Sequence, residues 1–561
     1  MSATLERMST GIPGLDHLLD GGLLRGNSLL IEGPPGSGKS TFGVRMLHEG
    51  VIRYKEPGLL ITFEEFPKQV YAEAMSYGVD LRLMEDAGKL RVVWTTPQRI
   101  LEGFTGKNDL IDKIIHELGV RRLVIDSISH FKRVSTSDID LRELLLKILN
   151  NLKLRGINAV LVKELERQDD QTIAFEEYLV DASIRVYNAP ISSGENVRFL
   201  EVRKTRGQPH ISGKHPFRLG ASGLAVYPRL SPANLPQVCG LPQPTPAARV
   251  ATGITGLDAM LSGGFLKGSL NLAAGYSGTG KSVIGYHFLD TGLKVGEPVL
   301  LVSLKSSTAQ IISQAESLGM FWRDAQRSGL LSIQHYHATG LCIEQMIDEI
   351  LQHTREKPPV RVLFQSASDL WNAARDKESV RDTLLLLQSI FERSGITALV
   401  TDQAHQMGGD ASSSLHDYAD LAECVIQLSM AESEGELRRF VGVHKHRGSE
   451  HAKELREFHI GPFGFRVERK AVGLSGILTG QTQGTLRQAG EEILPSLDKV
   501  SDLLRTLTET EGTPQNVRDR LKEARSNLGL IDVLLREHFG VTAFHELTDE
   551  MEPCESSVPK F

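Results

Sequence analysis

Two kinds of apolar pattern alternate along the chain. Short runs rich in β-branched residues, "GLLITF" from Gly58, "RRLVIDS" from Arg121, "INAVLVK" from Ile157 and "VRFLEV" from Val197, are separated by longer segments such as "DLIDKIIHELG" from Asp109 and "LRELLLKILNNLK" from Leu141. In the longer segments apolar residues return every three or four positions, the helical period, whereas the short runs read as strands. Unbroken apolar stretches such as Leu123–Ile125 suit strands buried on both faces. Strands alternating with helices predict an α/β fold, a mostly parallel sheet with helices on both faces.

The same pattern occurs twice. "STGIPGLDHLLDGGLLRGNSLLIEGPPGSGKS" from Ser9 aligns without a gap on "ATGITGLDAMLSGGFLKGSLNLAAGYSGTGKS" from Ala251. The correspondence continues through "LLITFEEFPKQV" against "LLVSLKSSTAQI" and "LEVRKTRGQPH" against "FVGVHKHRGSEH". One domain has therefore been duplicated. The expected boundaries are a first domain over 1–227, a linker over 228–250, a second domain over 251–470, a helical tail over 471–545 and a polar, disordered end over 546–561. The linker is set by its prolines, Pro228, Pro232, Pro236, Pro242, Pro244 and Pro246, which favour an extended, semi-rigid segment. In the tail, Leu486, Ile493, Leu497, Val500, Leu504 and Leu507 recur at near-heptad intervals, although Gly490 and Pro495 weaken the start. After it, Thr513 as N-cap and Pro514 at the first helical position open a second helix striped by Val517, Leu521, Ala524, Leu528, Ile531 and Leu535. Two such stripes beside a short turn predict a helical hairpin, which either packs on the second domain or docks a partner protein.

Composition narrows the function classes. With 561 residues, 40% hydrophobic and 24% charged, the chain is ordinary globular protein, and a net charge of −7 argues against a coat for nucleic acid or anionic membrane. No apolar run reaches the eighteen or so residues that span a bilayer, and the beginning lacks a secretory layout, so the expectation is cytoplasmic with no membrane partner. The four cysteines, Cys239, Cys342, Cys424 and Cys554, are scattered without metal-ligand spacing and read as free thiols.

The chemistry lies in the ends of the aligned segments. Gly33, Gly36, Ser37, Gly38, Lys39, Ser40 and Thr41 form one phosphate-binding loop, and Gly275, Gly278, Thr279, Gly280, Lys281 and Ser282 form another. In such loops backbone N–H groups close around phosphate oxygens, the lysine neutralises charge and the serine hydroxyl ligates Mg²⁺, here Ser40 and Ser282. Each loop precedes a helix whose N-terminus adds to the anion site. Asp126 ends the buried strand "LVID" and behind an intact loop suits a carboxylate that holds Mg²⁺ through water. Glu64 and Glu65 in "TFEEF" stand at the end of another strand, where ligands of doubly wound sheets gather.

The "TGIxGLDxxLxGG" opening of each copy, the Glu-Glu pair and the Lys-x-Arg-Gly segment resemble the KaiC family of RecA-like P-loop ATPases over roughly residues 5 to 470. The resemblance implies a homohexamer of two stacked rings with ATP and Mg²⁺ at subunit boundaries. It implies that Glu64 or Glu65 polarises the attacking water, with the sequence not deciding between them, and that Lys204 and Arg206 reach the neighbouring subunit's nucleotide. In the second copy Lys445 and Arg447 repeat that pair, but Lys305 and Ser306 replace the Glu-Glu pair and Gln365 replaces Asp126. Ala419 and Asp420 stand at the two positions that the clock member of the family phosphorylates. The expectation is a hexameric signalling ATPase whose first domain hydrolyses slowly, whose second holds ATP and cleaves it poorly, and whose autokinase activity is lost. Two alternatives stand beside it: a RecA-like DNA-dependent motor, which the charge disfavours, and a non-catalytic scaffold, which retention of Glu64, Glu65 and Asp126 disfavours.

Overall fold

The computed structural model describes residues 6–539 apart from 101–109, 134–136, 166–174, 191–195, 221–222, 232–247, 375–376, 404–418, 434–435, 472–473, 476–482 and 511–512. Most of the predicted linker, the polar end, Cys239 and Cys554 lie outside the described residues. Cys342 and Cys424 are buried thiols that form no disulfide among the described residues.

The chain divides into two compact units, each built around one sheet. In the first, the strands are β1 (Ser28–Gly33), β2 (Gly58–Thr62), β3 (Leu90–Trp94), β4 (Arg122–Asp126), β5 (Asn158–Glu164), β6 (Ala182–Pro190), β7 (Asn196–Thr205), β8 (Lys214–Gly220) and β9 (Gly223–Val226). Among the described residues they form one nine-stranded sheet, ordered β3-β2-β4-β5-β1-β6-β7-β8-β9. Pairings from β3 across to β6 are parallel and those from β6 to β9 antiparallel.

The second unit repeats this with β10 (Leu270–Gly275), β11 (Val299–Ser303), β12 (Leu331–His335), β13 (Arg361–Gln365), β14 (Thr397–Gln403), β15 (Cys424–Ser433), β16 (Glu436–His446), β17 (Arg456–Gly461) and β18 (Gly464–Lys470). Its order, β12-β11-β13-β14-β10-β15-β16-β17-β18, is the same position for position.

The unbroken apolar runs have the predicted consequence. Leu29, Ile31, Leu60, Val124 and Val162 pack into a core on one face of the first sheet, and Leu30, Ile61, Leu123, Ile125 and Leu161 into a core on the other. Each strand is thus desolvated on both sides, which fixes its register and holds its C-terminal end, where the chemistry sits, rigid.

The repeated "TGIxGLD" segment is a latch. Asp16 Oδ1 accepts from Thr10 N at 2.7 Å and Thr10 Oγ1 at 2.7 Å, and Asp258 Oδ1 accepts from Thr252 N at 2.7 Å and Thr252 Oγ1 at 2.8 Å. A buried arginine at the start of β4, and of β13 in the second unit, ties this segment down. Arg122 pairs with Glu56 at 2.6 Å and donates to the carbonyls of Met46 (2.9 Å) and Ser9 (2.8 Å). Arg361 does the same with Glu297 at 2.6 Å and the carbonyls of Phe288 (2.9 Å) and Ala251 (2.7 Å).

The tail contains two helices, Thr485–Glu509 and Gln515–Phe539, that pack together as the predicted hairpin. The first runs unbroken through Gly490 and Pro495. Leu497, Leu504, Leu521, Ala524 and Leu528 are half-buried, while Val500, Leu507, Val517 and Ile531 remain exposed. Thr513 is not an N-cap: its hydroxyl donates back to the carbonyls of Leu507 (3.3 Å) and Thr510 (2.9 Å), closing the preceding helix, and the second helix begins at Gln515, beyond Pro514. Among the described residues no helix is long and apolar enough to cross a membrane.

Candidate active site

Each glycine-rich loop joins the central strand to a helix, β1 to α1 (Lys39–Tyr54) and β10 to α2 (Lys281–Lys294). The glycine before each lysine has a left-handed backbone, φ 97° at Gly38 and 100° at Gly280. A Cβ there would lie 2.9 Å from Leu219 Cδ1 or 2.4 Å from Ile460 Cδ1, contacts those side-chain ends could yield, so it is the backbone conformation that demands glycine. Lys39 Nζ donates to Pro34 O at 2.8 Å, and Lys281 Nζ to Gly275 O and Tyr276 O, both at 2.8 Å. Partial burial lowers both ammonium pKa values, that of Lys281 to about 8, because charge is costly away from water.

In the first unit Asp126 reaches the loop. Burial holds the Asp126 pKa above the usual range against the opposing pull of the Ser40 hydroxyl and the Lys39 ammonium. Ser40 and Asp126 line a cavity of about 20 Å³, together with Val44, Glu65 and Glu73. That is room for about one water-sized group. Hydroxyl and carboxylate oxygens at one small cavity are the donor set a hard divalent cation takes, so these residues fit Mg²⁺.

The sequence puts Glu64 and Glu65 at the end of a strand, where neighbouring side chains would point to opposite faces. In fact β2 ends at Thr62 and both lie in the bend that follows, closed by Thr62 Oγ1 donating to Glu65 O at 2.7 Å. They diverge nonetheless. Glu64 Oε1 lies 3.3 Å from His130 Nε2, whereas Glu65 lines the cavity beside Asp126. Partial desolvation raises the Glu65 pKa, with Glu73, Asp126 and Glu64 adding like-charge repulsion.

Sequence reasoning missed two carboxylates. Glu73 is the seventh residue of the helix Pro67–Ser76 and three positions after the buried Val70, a spacing that places a charged residue near the apolar stripe. Glu164 ends β5 opposite Gly33 and acts electrostatically on both Lys39 and Asp126.

Register identifies the second unit's counterparts. Thr62 pairs with Asp126 and Ser303 with Gln365; Gly33 pairs with Glu164 and Gly275 with Gln403. Gln314 is the seventh residue of the helix Thr308–Ser317, matching Glu73. Glu64, Glu65, Glu73, Asp126 and Glu164 thus become Lys305, Ser306, Gln314, Gln365 and Gln403. The position of Val44 is taken by Tyr286, whose buried hydroxyl donates to Gln314 Oε1 at 2.8 Å. The Gln365 amide is buried beside the Tyr286 hydroxyl.

Lys204 and Arg206 share one side of the first unit, although β7 ends at Thr205 and Arg206 lies just beyond it. Lys204 Nζ donates to Glu177 O (2.7 Å) and Val180 O (2.8 Å), and Arg206 to Tyr178 O (2.7 Å), all at the end of the short helix Phe175–Leu179. Lys445 Nζ donates likewise to Ala419 O at 2.7 Å, and the Arg206 N to Asp181 O bond of 2.8 Å recurs as Arg447 N to Glu423 O at 2.8 Å. Ala419 and Asp420 therefore occupy the places that Glu177 and Tyr178 hold in the first unit.

Comparison with known proteins agrees with this duplication. The sequence model of the KaiC ATPase family matches residues 8–231 and again 250–472. The chain is 30% identical over 486 residues to the circadian clock oscillator protein KaiC of Synechococcus elongatus, covering 85% of this chain and 92% of the relative. It is 29% identical over 488 residues to the protein of that name from Thermostichus vulcanus (85% and 92%), and 28% identical over 517 residues to that of Acaryochloris marina (91% and 95%).

Proposed function

This chain belongs to the KaiC family of ATPases, and from that premise we propose that its two copies divide the work, the first hydrolysing ATP slowly and the second holding ATP with little turnover. The observation that carries the reading is the loss of all five first-site carboxylates at their register-matched positions in the second site while both phosphate loops persist.

In the first site the loop N–H groups, the helix N-terminus and Lys39 hold the triphosphate. Ser40 and Asp126 are the residues that would hold Mg²⁺, which when bound supplies charge neutralisation at the β- and γ-phosphates. Glu65 is the general base: it lines the cavity, and its raised pKa strengthens it as a proton acceptor. Glu64, held by His130, orients and charges the rim. Lys204 and Arg206 serve the neighbouring subunit's phosphates in a homohexameric double ring, where a cation arriving in trans stabilises charge developing on the transferred group. Lys445 and Arg447 serve the second site in the same way. Without a hydroxyl at Ala419, and with Ser306 and Gln365 in place of base and acidic ligand, the second ring has no self-phosphorylation. The tail hairpin, with Val500 and Ile531 exposed, is the surface offered to a partner protein, and the ring acts as a cytoplasmic signalling ATPase rather than a DNA motor.

The test is nucleotide content. After incubation with excess ATP and desalting, the full-length assembly should retain one ATP per chain while ADP accumulates at another site, and Lys281→Ala should abolish the retained ATP. Conversion of both sites to ADP would refute the division of labour.

A further inference from the structure

The second site differs from the first in more than the missing base, and the difference concerns the metal. A divalent cation on a triphosphate needs a hydroxyl from the loop, acidic second-sphere oxygens and space for water. Ser282 supplies the first alone.

The cavity that Ser40, Asp126, Glu65 and Glu73 enclose in the first unit is occupied in the second by the phenol of Tyr286. This residue is 2% exposed and sits edge-on to Trp322 with ring centroids 5.1 Å apart. Its hydroxyl is satisfied by Gln314 Oε1, the residue in the Glu73 position. Burial pushes that hydroxyl's pKa up to about 12, with the neighbouring Gln365 amide pulling the other way, so the oxygen is a neutral phenol and not an anionic ligand. The Gln365 amide, beside the Tyr286 hydroxyl, puts a hydrogen-bond donor where a cation requires an acceptor.

One carboxylate does lie near the loop. Asp402 is buried in β14 and is the acidic group that opposes desolvation at Lys281. It cannot replace Asp126, because Thr401 is the register partner of Gln365 and the next residue along a strand faces the other side of the sheet. There its carboxylate accepts from the Ser368 hydroxyl.

The electrostatics run the same way. Around the first loop five carboxylates repel a triphosphate, and a divalent cation is needed to reconcile the two sets of negative charge. Around the second, Ser306, Gln314, Gln365 and Gln403 are neutral and Lys305 is a cation, so the loop N–H groups, the helix N-terminus and Lys281 face the phosphates with Asp402, on the other face of the sheet, in place of five carboxylates.

We propose that the second site binds its nucleoside triphosphate without a divalent cation, Tyr286 and Gln365 having displaced the metal. The proposal rests on the reading of the second loop as a nucleotide site and sets aside the metal role expected of Ser282. A triphosphate held without a metal also lacks the group that would neutralise its leaving phosphates, which accounts for slow turnover independently of the missing base.

The experiment uses the full chain loaded with Mg²⁺ and ATP, then washed with EDTA, with bound nucleotide counted by chromatography. Mn²⁺ stoichiometry is measured in parallel by electron paramagnetic resonance in the presence of ATP. The expected result is that EDTA releases one nucleotide per chain and leaves one, that the resistant nucleotide survives Lys39→Ala and is lost in Lys281→Ala, and that one nucleotide-dependent Mn²⁺ binds per chain. The double variant Tyr286→Val/Gln365→Asp should make the resistant nucleotide EDTA-sensitive and add a second Mn²⁺.

If EDTA empties both sites, or unaltered protein binds a second Mn²⁺ that Lys281→Ala removes, the proposal is overturned while the nucleotide site itself stands. If Lys281→Ala retains a full complement of nucleotide in Mg²⁺, the site reading fails and the proposal falls with it. The Mn²⁺ count on unaltered protein decides the matter even where the double variant does not fold.

Discussion

Glu65→Gln isolates the base from its neighbour. Glu65 lines the cavity that holds Ser40 and Asp126, and replacing its carboxylate by an isosteric amide removes the proton acceptor while leaving the loop and the acidic ligand in place. Loss of a positioned general base costs about 10²–10⁴-fold, or roughly 3–5 kcal/mol of barrier. Glu64→Gln alters an exposed carboxylate 3.3 Å from His130. An exposed pair contributes about 0.2–1 kcal/mol, so the expected loss is below about fivefold.

A third variant supplies the pH test. Glu73 raises the Glu65 pKa by repulsion, so Glu73→Gln should lower it and move the acid limb of the rate profile toward lower pH, because the base must be ionised to act. The sign also reaches stability. A carboxyl with a raised folded pKa binds its proton more tightly folded than unfolded, so stability falls as pH rises from the ordinary carboxylate value through the raised one. Glu65→Gln should therefore melt slightly higher than the parent at neutral pH in the absence of nucleotide. The assay is phosphate release at saturating Mg²⁺ and ATP from about pH 5 to 9, with melting curves alongside. A larger loss in Glu64→Gln than in Glu65→Gln, or an acid limb that does not move in Glu73→Gln, would refute the assignment.

If Lys204 acts in trans, rings assembled from equal parts Lys204→Ala and Glu65→Gln subunits should recover roughly a quarter of parental phosphate release, since random mixing makes that fraction of boundaries intact, while either variant alone stays inactive. No recovery in rings co-assembled from the two variants would place Lys204 in its own subunit's chemistry. Arg122→Met should destabilise the first unit by about 1–3 kcal/mol in denaturant unfolding, because it leaves the Met46 and Ser9 carbonyls without their donor, while Glu56 keeps its pair with Arg25 at 2.6 Å. Arg361→Met should reproduce the loss in the second unit. Cys424, its thiol pushed up to about 12 by burial, should resist maleimide at neutral pH until the protein is unfolded.

The duplicated α/β architecture was legible because its signals are local: strand runs buried on both faces, loop glycines at fixed spacing, and a gap-free alignment of two copies. The exchanges at Lys305, Ser306 and Gln365 were legible for the same reason, since alignment to the first copy marks each one. What remained hidden depends on packing between elements. Tyr286 lies on a helix in an ordinary apolar position, and only the register of β11, β13 and their helices shows that its ring fills a cavity. Glu73 and Glu164 reach the site from elements other than those carrying the recognisable motifs. The choice between Glu64 and Glu65 was closed to pattern reasoning because pleat alternation ends with the strand at Thr62, and the bend beyond it separates the two side chains instead.

The phenol of Tyr286 makes the second unit's condition a ratchet. Restoring Asp at position 365 alone would place a carboxylate against a buried ring, and removing the ring alone would leave an empty space among neutral amides; each single step costs stability and gains no turnover. If the second unit has lost its turnover as proposed, the positions aligned with Glu64 and Glu65 are free to drift, but the route back is closed one substitution at a time.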